Sequence, residues 1–383
     1  MNQSQKADEH VCVDATPLDQ RVRGRGIGSY TRTLVEGFRH SECRFPISYL
    51  RFGSEGSTER SEISIGLHRM QERFQWIGSA LFLQRFLEKH RITLFHSTNP
   101  INIPLSRRFK TLVTVYDLIP TLFYDDYLRG KPNTRASYSF NTPRLKMANH
   151  IIAISRQTKL DCMQLLKIPD DKISVVYIGL DQKRYSKSTD QEHLRESRNR
   201  LKLPDRFFLY VGGIDPRKNV SRILEAFALV AKNFPDFLLL VGPWSPADEE
   251  QLLTLSSALE ISNRVRILTH INVEDLVVLY SLSTALLFPS LYEGFGLPVA
   301  EAFSCGTAVL CSRTSSLGEI GEGAALLVDP QNVKEIAEGI ESLATNPDLR
   351  KSLEGEGYER SKLYLQQNMI RETLKIYERV LST

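Results

Sequence analysis

The sequence is poor in the features that mark secreted and membrane-spanning proteins. Its 383 residues include five cysteines, an odd number with no Cys-x-x-Cys pair and no neighbouring histidine pattern. This scatter favours reduced thiols over a disulfide framework. The polar amino-terminal stretch does not have the pattern of a signal peptide, and no apolar run is long enough to cross a bilayer. We therefore expect a cytoplasmic protein.

Several motifs that indicate a particular chemistry are also missing. The sequence has no Asp-x-Asp, no His-Glu-x-x-His and no Cys/His ligand spacing, so we expect no bound metal. It has neither a P-loop nor a Gly-x-Ser-x-Gly motif, and no nucleic-acid-binding motif. No internal repeat is evident, which argues against a solenoid or propeller. The function must therefore be argued from the motifs that are present.

Positive charge is concentrated in the first half of the chain. Residues 1–185 hold 28 Lys and Arg against 18 Asp and Glu, whereas the remainder holds 21 against 27. Such an excess suggests an anionic partner, either a phosphorylated acceptor or a membrane surface to which the protein binds peripherally. The alternative is an ordinary solvated surface. The amphipathic stretch 74–90 could also touch lipid, but a helix that packs on the core is the simpler interpretation.

The order of apolar runs predicts two α/β domains. Short apolar runs alternate with amphipathic stretches over residues 1–185, and the alternation restarts over 186–364 after a charged segment. Each series predicts a Rossmann-like, doubly wound parallel sheet with helices on both faces. Residues 365–383 are predicted to form a helix that packs back on the first domain. Ligands of such sheets bind at the carboxyl ends of the strands, so the expected site is a central cleft that the two domains face.

The segment "EGFGLPVAEAF", residues 293–303, predicts an anion site between two acids. A strand is expected to end near Ser290, a glycine-containing loop follows, and Pro298 opens a helix. Loop amides and the helix amino end offer N–H donors and partial positive charge to an anion. Since carboxylates do not bind phosphate, Glu293 and Glu301 would instead meet hydroxyls. A sugar at one end of a diphosphate and a ribose at the other would supply them.

A second motif, "YVGGIDPRKNV", places two cations after a strand. Arg217 and Lys218 precede a predicted helix, where Arg offers a bidentate fork and Lys a point charge. This combination suits a diphosphate and would offset the negative charge that develops on a phosphate leaving group. Taken alone, a basic pair more often faces solvent.

Two weaker motifs lie in the first half. Gly24, Gly26 and Gly28 follow the first predicted strand but do not form Gly-x-Gly-x-x-Gly, so they indicate only flexible backbone at the edge of the cleft. Polar residues at two later strand ends are candidates to face the cleft, although each could equally be a hydrogen-bonded structural residue. These residues are His96, Asn99, Tyr116 and Asp117.

Together these segments resemble glycosyltransferase family 4, whose members have the two-domain GT-B fold. The matching segments include "FPSLYEGFGLPVAEAFSCG", "VGGIDPRKNV" and "RGIGSYT". The resemblance covers nearly the whole chain and is strongest over residues 205–335. It implies a hexosyltransferase that moves a sugar from a nucleotide donor with retention and without a metal. The nucleotide sugar is then a substrate, and no cofactor is expected.

The resemblance also implies roles for individual residues. Glu293 would lie near the donor sugar, and Glu301 would bind the ribose. Arg217 and Lys218 would hold the diphosphate. The remaining donor-binding positions, with Ile271 beside the nucleotide base, are Gly26, Gly213, Ile271, Gly294, Phe295, Gly296 and Leu297.

Two positions depart from the family pattern. Tyr116 stands where many relatives have a histidine that is thought to contact the donor sugar. Tyrosine is a poor general base because its reference pKa is about 10. Asp117 is therefore the stronger candidate for a catalytic residue in this pair. Gly213 stands where many relatives have arginine, so Arg217 and Lys218 would carry more of the diphosphate charge.

The resemblance points most closely to bacterial mannosyltransferases of O-antigen or capsule synthesis. It implies GDP-mannose as donor and a glycan or lipid-diphosphate-linked glycan as acceptor. Three alternatives stay open: a UDP-sugar transferase, an epimerase of similar architecture that releases free nucleotide, and a sugar-nucleotide-binding subunit without activity.

Overall fold

The computed structural model contains two compact α/β units. The described residues are 9–19, 26–52, 62–64, 83–100, 103–104 and 108–383. One unit comprises the chain up to Gly179 together with Gln366–Thr383, and the other comprises Leu180–Leu365. The first unit thus ends at Gly179 rather than at residue 185, and the carboxy-terminal segment joins it.

The first unit is built on a seven-stranded parallel sheet with strand order β3-β2-β1-β4-β5-β6-β7. Its strands are β1 Val11–Asp14, β2 Ile47–Arg51, β3 Glu62–Ser64, β4 Leu94–Ser97, β5 Lys110–Val115, β6 His150–Ala153 and β7 Ile173–Val175. Its helices include Gly26–Arg39, Ile119–Leu122, Tyr124–Tyr127, Pro132–Leu145, Arg156–Leu166 and Gln366–Ser382.

The last helix of the chain packs on the first helix of this unit. Gly37 lies at the contact, where an added Cβ would come within 2.5 Å of the Ile370 side chain. Gln366 Nε2 also donates to the Thr33 carbonyl over 2.7 Å. A glycine is therefore needed for the two helices to approach this closely.

The amphipathic stretch 74–90 is described only in part. Residues 74–82 lie outside the described residues, as do Gly24 and its neighbouring arginines. From Leu83 onward the chain is helical, and Leu83 and Leu87 are buried in an apolar cluster with Phe95. This part of the stretch therefore packs on the core.

The second unit is built on a six-stranded parallel sheet with strand order β10-β9-β8-β11-β12-β13. Its strands are β8 Phe207–Val211, β9 Phe237–Val241, β10 Val265–Leu268, β11 Ala285–Phe288, β12 Val309–Ser312 and β13 Leu326–Val328. Its helices include Gln191–Arg200, Val220–Val230, Pro246–Ala258, Val273–Leu282, Leu297–Ser304, Ser315–Gly321, Val333–Thr345 and Pro347–Ser361.

The order of the strands creates a switch point between β8 and β11. The chain runs outward from β8 through β9 to β10 and then returns to the other side of β8 as β11. The central strands are almost wholly apolar, as in "FFLYV" and "ALLF", because helices cover both faces of the sheet. The connections after β8 and β11 leave in opposite directions, which opens a crevice at their carboxyl ends.

Candidate active site

Two loops meet at the carboxyl ends of β8 and β11. The loop after β8 ends in a 3-10 turn, Pro216–Lys218, and the loop after β11 leads into the helix Leu297–Ser304. The Leu291 N–H donates to the Arg217 carbonyl over 2.7 Å, so the loops are bonded directly. This contact brings the two strongest motifs of the sequence together.

Glu293 lies between two cationic side chains. Its Oε1 is 2.7 Å from Lys218 Nζ, and its Oε2 is 2.9 Å from Arg217 Nη1. The Glu293 side chain is only 9% exposed, and those of Lys218 and Arg217 are 16% and 18% exposed. A buried carboxylate is tolerable here because each oxygen has a charged partner. This mutual contact was not predicted, since the sequence suggested separate ligands for the acid and the cations.

The charge of Glu293 is fixed by these partners. Burial alone would raise its pKa, but the Lys218 and Arg217 charges and their hydrogen bonds outweigh burial and lower the pKa. Glu293 is therefore ionised at neutral pH. The three groups carry a net single positive charge next to a helix amino end, which suits an anionic ligand.

Asn219 fixes the turn that carries the two cations. It is buried with a left-handed backbone, φ 64°, a conformation that asparagine tolerates better than most residues. Its Nδ2 donates to the carbonyls of Pro289 and Pro330, over 2.8 and 2.7 Å. The side chain thus ties the loop after β8 to the loop after β11.

Two serines hold the loop that contains Glu293, and the sequence analysis missed both. The Glu293 N–H donates to Ser315 Oγ over 3.3 Å. Ser316 Oγ lies 2.8 Å from the Glu293 carbonyl and 2.7 Å from the Phe295 carbonyl. Ser315 has φ 56°, which is uncommon for a residue with a side chain. The segment "SRTSS" offered a weak signal, because serines around the start of a helix are typical of capping.

The start of the helix Leu297–Ser304 offers backbone donors, as the sequence predicted. In this described part of the chain, the N–H groups of Gly296 and Leu297 have no hydrogen-bond partner. Gly296 has φ 116°, and a Cβ there would lie 2.6 Å from Leu317 Cδ2. Gly294 lies in the same loop, and the Phe295 side chain is buried against the Tyr364 ring, 5.5 Å between centroids. Any ligand contact by Phe295 would therefore involve its backbone.

Glu301 has a different environment from Glu293. The hydroxyl of Tyr280 donates to its Oε2 over 2.8 Å, and the hydroxyl of Tyr185 lies near the same carboxylate. Burial raises the pKa of Glu301, and the two hydroxyls with the nearby Arg184 charge only partly oppose that rise. The two glutamates of the motif therefore differ in both partners and acidity.

Gly213 and Ile271 also lie beyond strand ends of this sheet. The Gly213 carbonyl accepts a hydrogen bond from the Tyr210 hydroxyl over 2.7 Å, and no atom lies within 4 Å of where its Cβ would be. Ile271 lies in the connection from β10 to the helix Val273–Leu282 and is half-buried. The structure has space for a larger residue at position 213.

Tyr116 and Asp117 in the first unit make contacts typical of structural residues. The Tyr116 hydroxyl donates to the Thr98 carbonyl over 2.7 Å, and burial raises its pKa well above the ordinary value. Asp117 Oδ1 accepts from the Ile119 N–H over 3.0 Å at the start of a short helix. Gly26, by contrast, is exposed at the start of its helix.

His96 does not face a ligand site. It is fully buried, with Nδ1 2.6 Å from the Tyr377 hydroxyl and Nε2 2.8 Å from Thr114 Oγ1. Burial lowers its pKa to about 3. The prediction that His96 points toward a cleft is therefore wrong, and the structural alternative holds. Asn99 is buried as well, and its carbonyl accepts from Ser97 Oγ over 2.7 Å.

The described residues contain neither a candidate membrane span nor a cluster of candidate metal ligands. None of their helices combines the length and the apolar character that a bilayer requires. Likewise, their His, Cys, Asp and Glu side chains form no group of three suited to a metal ion.

The sequence and fold have clear relatives. The family described as Glycosyl transferases group 1 matches residues 190–360, and Glycosyltransferase Family 4 matches residues 24–184. The chain is 27% identical over 308 residues to the serotype-specific mannosyltransferase WbdA of Escherichia coli, covering 79% of this chain but 37% of that protein. It is 26% identical to the O-antigen chain mannosyltransferase B of Escherichia coli, covering 76% of each.

Solved structures give the same fold. Sucrose-phosphate synthase from Thermosynechococcus elongatus superposes with a TM-score of 0.80 at 21% identity, over 98% of this chain and 99% of that one. At this identity the likeness concerns the fold alone, which is GT-B. The two family matches together cover most of the chain, and we conclude that it belongs to glycosyltransferase family 4.

Proposed function

We propose that the protein is a retaining, metal-independent hexosyltransferase that moves mannose from GDP-mannose to a glycan or lipid-diphosphate-linked glycan. The observation that carries the proposal is the cluster of Glu293, Lys218 and Arg217 beside a helix amino end at the switch point of the second sheet. Two relatives named as mannosyltransferases support mannose as the sugar.

The diphosphate of the donor would be held by Lys218, Arg217 and the N–H groups of Gly296 and Leu297. Lys218 Nζ has three donors, of which the recorded bond to Glu293 uses one. Fixed cations and amide dipoles stabilise negative charge as it develops on a leaving phosphate, the task that a divalent metal performs in other transferases. These side chains supply that charge themselves, which is the basis for proposing metal independence.

The reaction would proceed on one face of the sugar. The bond between the anomeric carbon and the β-phosphate oxygen breaks, and the electron pair stays on the phosphate. The acceptor hydroxyl attacks the anomeric carbon from the same side, and its proton passes to the departing phosphate oxygen. No separate base is then required, which is consistent with the structural contacts of Tyr116.

The acceptor would be bound by the first unit. The surplus of Lys and Arg over residues 1–185 suits a diphosphate-linked acceptor at a membrane surface, where the protein would bind peripherally. This part of the proposal does not depend on donor binding. If the first unit does not bind the acceptor, the proposed binding of the donor still stands.

A nucleotide panel tests the donor. We expect GDP to raise the thermal unfolding temperature of the full chain more than UDP or ADP does, because bound ligand stabilises the native state. With GDP-mannose and an acceptor glycan, we expect transfer that persists in the presence of a chelator. Stabilisation by UDP alone would indicate that the donor is a UDP-sugar. Release of nucleotide from the donor without any acceptor would favour an epimerase. Nucleotide binding without turnover of any donor would indicate a sugar-nucleotide-binding subunit without activity.

A further inference from the structure

A buried arginine of the first unit has no partner for one edge of its guanidinium group. Arg144 lies in the last turn of the helix Pro132–Leu145 and is 4% exposed. Its Nη1 donates to Asn141 Oδ1 over 2.9 Å, and its guanidinium carbon lies 4.9 Å from the centre of the Phe140 ring. Within the part of the chain that the structure describes, its Nε and Nη2 have no hydrogen-bond partner. Buried donors without a partner are costly, so we expect this edge to bind an acceptor.

The neighbouring sequence supplies positive charge to Arg144 and no carboxylate. Residues 127–160 include seven Lys and Arg and no Asp or Glu. Among the described residues no acid acts on the pKa of Arg144, which burial lowers to about 10. The group therefore stays charged at neutral pH. A buried charge without a counter-charge is rare in proteins and is relieved by a bound anion.

Two other arginines show how a covered guanidinium is satisfied in this protein. Arg51 uses the same edge for a carboxylate, with Nε 2.9 Å from Asp19 Oδ2 and Nη2 2.5 Å from Oδ1. Arg264 has an unpaired Nε, but its Nη2 donates to the Phe234 carbonyl over 2.7 Å. Because Nε and Nη2 point to the same side, they fit two oxygens of one anion. The edge of Arg144 therefore matches a bidentate oxyanion.

This edge lies apart from the candidate donor site. Arg144 is in the first unit, whereas the donor site is in the second. The helix that carries it leads into β6, which begins at His150. The Asn149 N–H donates to the Thr111 carbonyl over 2.9 Å, near the start of β5. The last turn of the helix is therefore at the amino ends of the strands, opposite the edge where ligands of such sheets usually bind.

The last turn of this helix is the element that can open to admit a ligand. Both unpaired nitrogens are covered in this structure, so a ligand reaches them only if the turn moves. Pro143 lies inside the helix and has no N–H, so it cannot bond to the Ser139 carbonyl in the helical pattern. Residues 131–136, around the helix start, are all exposed. Local opening costs less where backbone bonds and apolar contacts are few.

We propose that the Nε and Nη2 edge of Arg144 is a binding site for a phosphate group, which enters as the last turn of the helix opens. Phosphate is favoured over a carboxylate because it carries more negative charge and the surrounding segment 127–160 is wholly basic in its charged residues. The phosphate is either a free ion or part of a small phosphate ester. The site does not depend on the proposed function, since it involves none of the donor-binding residues.

The test measures thermal unfolding of the full chain as anions are added at constant ionic strength. Inorganic phosphate and glycerol phosphate are the probes, and chloride and acetate are the reference anions. The variants are Arg144→Met, Arg144→Lys and Arg135→Met. Arg135 is an exposed arginine of the same helix, so its variant is the matched control for the loss of one charge. Each titration is run with and without saturating GDP, or UDP if the nucleotide panel selects it, because the nucleotide occupies the cations of the donor site.

We expect at least one phosphate probe, at about ten times its dissociation constant, to raise the wild-type unfolding temperature by about 3–6 °C, with or without GDP. Arg144→Met should abolish this rise. In phosphate-free buffer it should unfold at a higher temperature than the wild type, because it removes a buried charge that has no partner. Arg144→Lys keeps the charge but loses the two-nitrogen edge, so it should bind phosphate about tenfold more weakly. Arg135→Met should respond as the wild type does.

Four results would overturn the inference. The first is a wild type that neither phosphate probe stabilises more than chloride does, and the second is an equal rise in Arg144→Met, which would place the phosphate elsewhere. The third is a rise that saturating nucleotide removes, since the anion would then belong to the donor site. The fourth is stronger stabilisation by acetate than by either phosphate probe. If Arg144→Met does not fold, the response of Arg144→Lys decides. A protein that binds no nucleotide would overturn the proposed function alone, because the titrations without nucleotide still test Arg144.

Discussion

Glu293 is a buried carboxylate whose two oxygens contact different cations, so the three charges depend on one another. Lys218 Nζ and Arg217 Nη1 lie 2.7 and 2.9 Å from it. Removing one cation leaves a buried carboxylate with a single partner, a change that costs more than the loss of an exposed ion pair. The same cation is the group proposed to meet the donor phosphates, so its loss should affect both folding and turnover.

We predict that Lys218→Ala lowers turnover by about 10²–10³-fold, the range for one donor that stabilises developing negative charge. Turnover numbers with saturating donor and acceptor provide the measurement. The matched control is Lys187→Ala, which removes a more exposed lysine that pairs with Glu354 in the same unit. Near-normal turnover in Lys218→Ala, with the control unchanged, would remove Lys218 from the reaction.

The chemistry of these residues could be predicted from the sequence better than their contacts. The cations Arg217 and Lys218 and the loop that begins at Glu293 indicated an anion site, because positive charge and backbone N–H groups after strand ends suit phosphates. Their pairing could not be predicted, since it depends on which loops the strand order brings together. Ser315 was missed for a local reason: its left-handed backbone is one that propensities disfavour for serine.

The last helix of the chain is joined to β4 of the first unit by a buried polar link. Tyr377, in the helix Gln366–Ser382, places its hydroxyl 2.6 Å from His96 Nδ1. The other ring nitrogen is 2.8 Å from Thr114 Oγ1, which lies 3.0 Å from the Tyr30 hydroxyl. The sequence predicted that this helix packs back on the first domain, but His96, which fastens it, was a candidate to face the cleft.

We predict that this link makes the first unit less stable in acid. The pKa of His96 is lowered to about 3 by burial, whereas an unfolded histidine has a pKa of about 6.5. Between these values the unfolded chain binds more protons than the folded one, so stability falls as pH drops from about 6.5 toward about 3. The loss from one such group reaches about 1.4 kcal/mol for each pH unit.

Urea unfolding of the wild type and of His96→Gln at pH 7 and pH 5 measures this effect. The variant should have a weaker pH dependence, even though it is less stable at pH 7. The control is His40→Gln, which replaces an exposed histidine of the same unit. An identical pH dependence in His96→Gln and the wild type would contradict the assignment.

At the scale of the whole molecule, the chain passes between the two units twice, and the two passages lie side by side. The Leu180 N–H donates to the Tyr364 carbonyl over 2.7 Å, and Leu180 forms a parallel bridge with Leu365. Tyr364 belongs to the second unit and Tyr377 to the first, although they are close in the sequence. Sequence periodicity predicted two domains, but it placed the first boundary at 185 because charged residues follow that point.

The division of the chain into two units predicts that substitutions of Tyr364 and Tyr377 act on different properties, nucleotide affinity and the stability of the first unit. The Tyr364 ring packs edge-on against Phe295 in the loop that carries Glu293. Tyr364→Leu should therefore weaken nucleotide binding, by up to about tenfold from the loss of one aromatic pair. Tyr377→Leu should lower the stability of the first unit by about 1–3 kcal/mol through the unpaired His96, and leave nucleotide affinity unchanged. Calorimetric titration with GDP and urea unfolding of both variants give the comparison. The prediction fails if Tyr377→Leu weakens the nucleotide as much as Tyr364→Leu does, because nucleotide binding would then depend on the first unit as well as on the loop at residue 293.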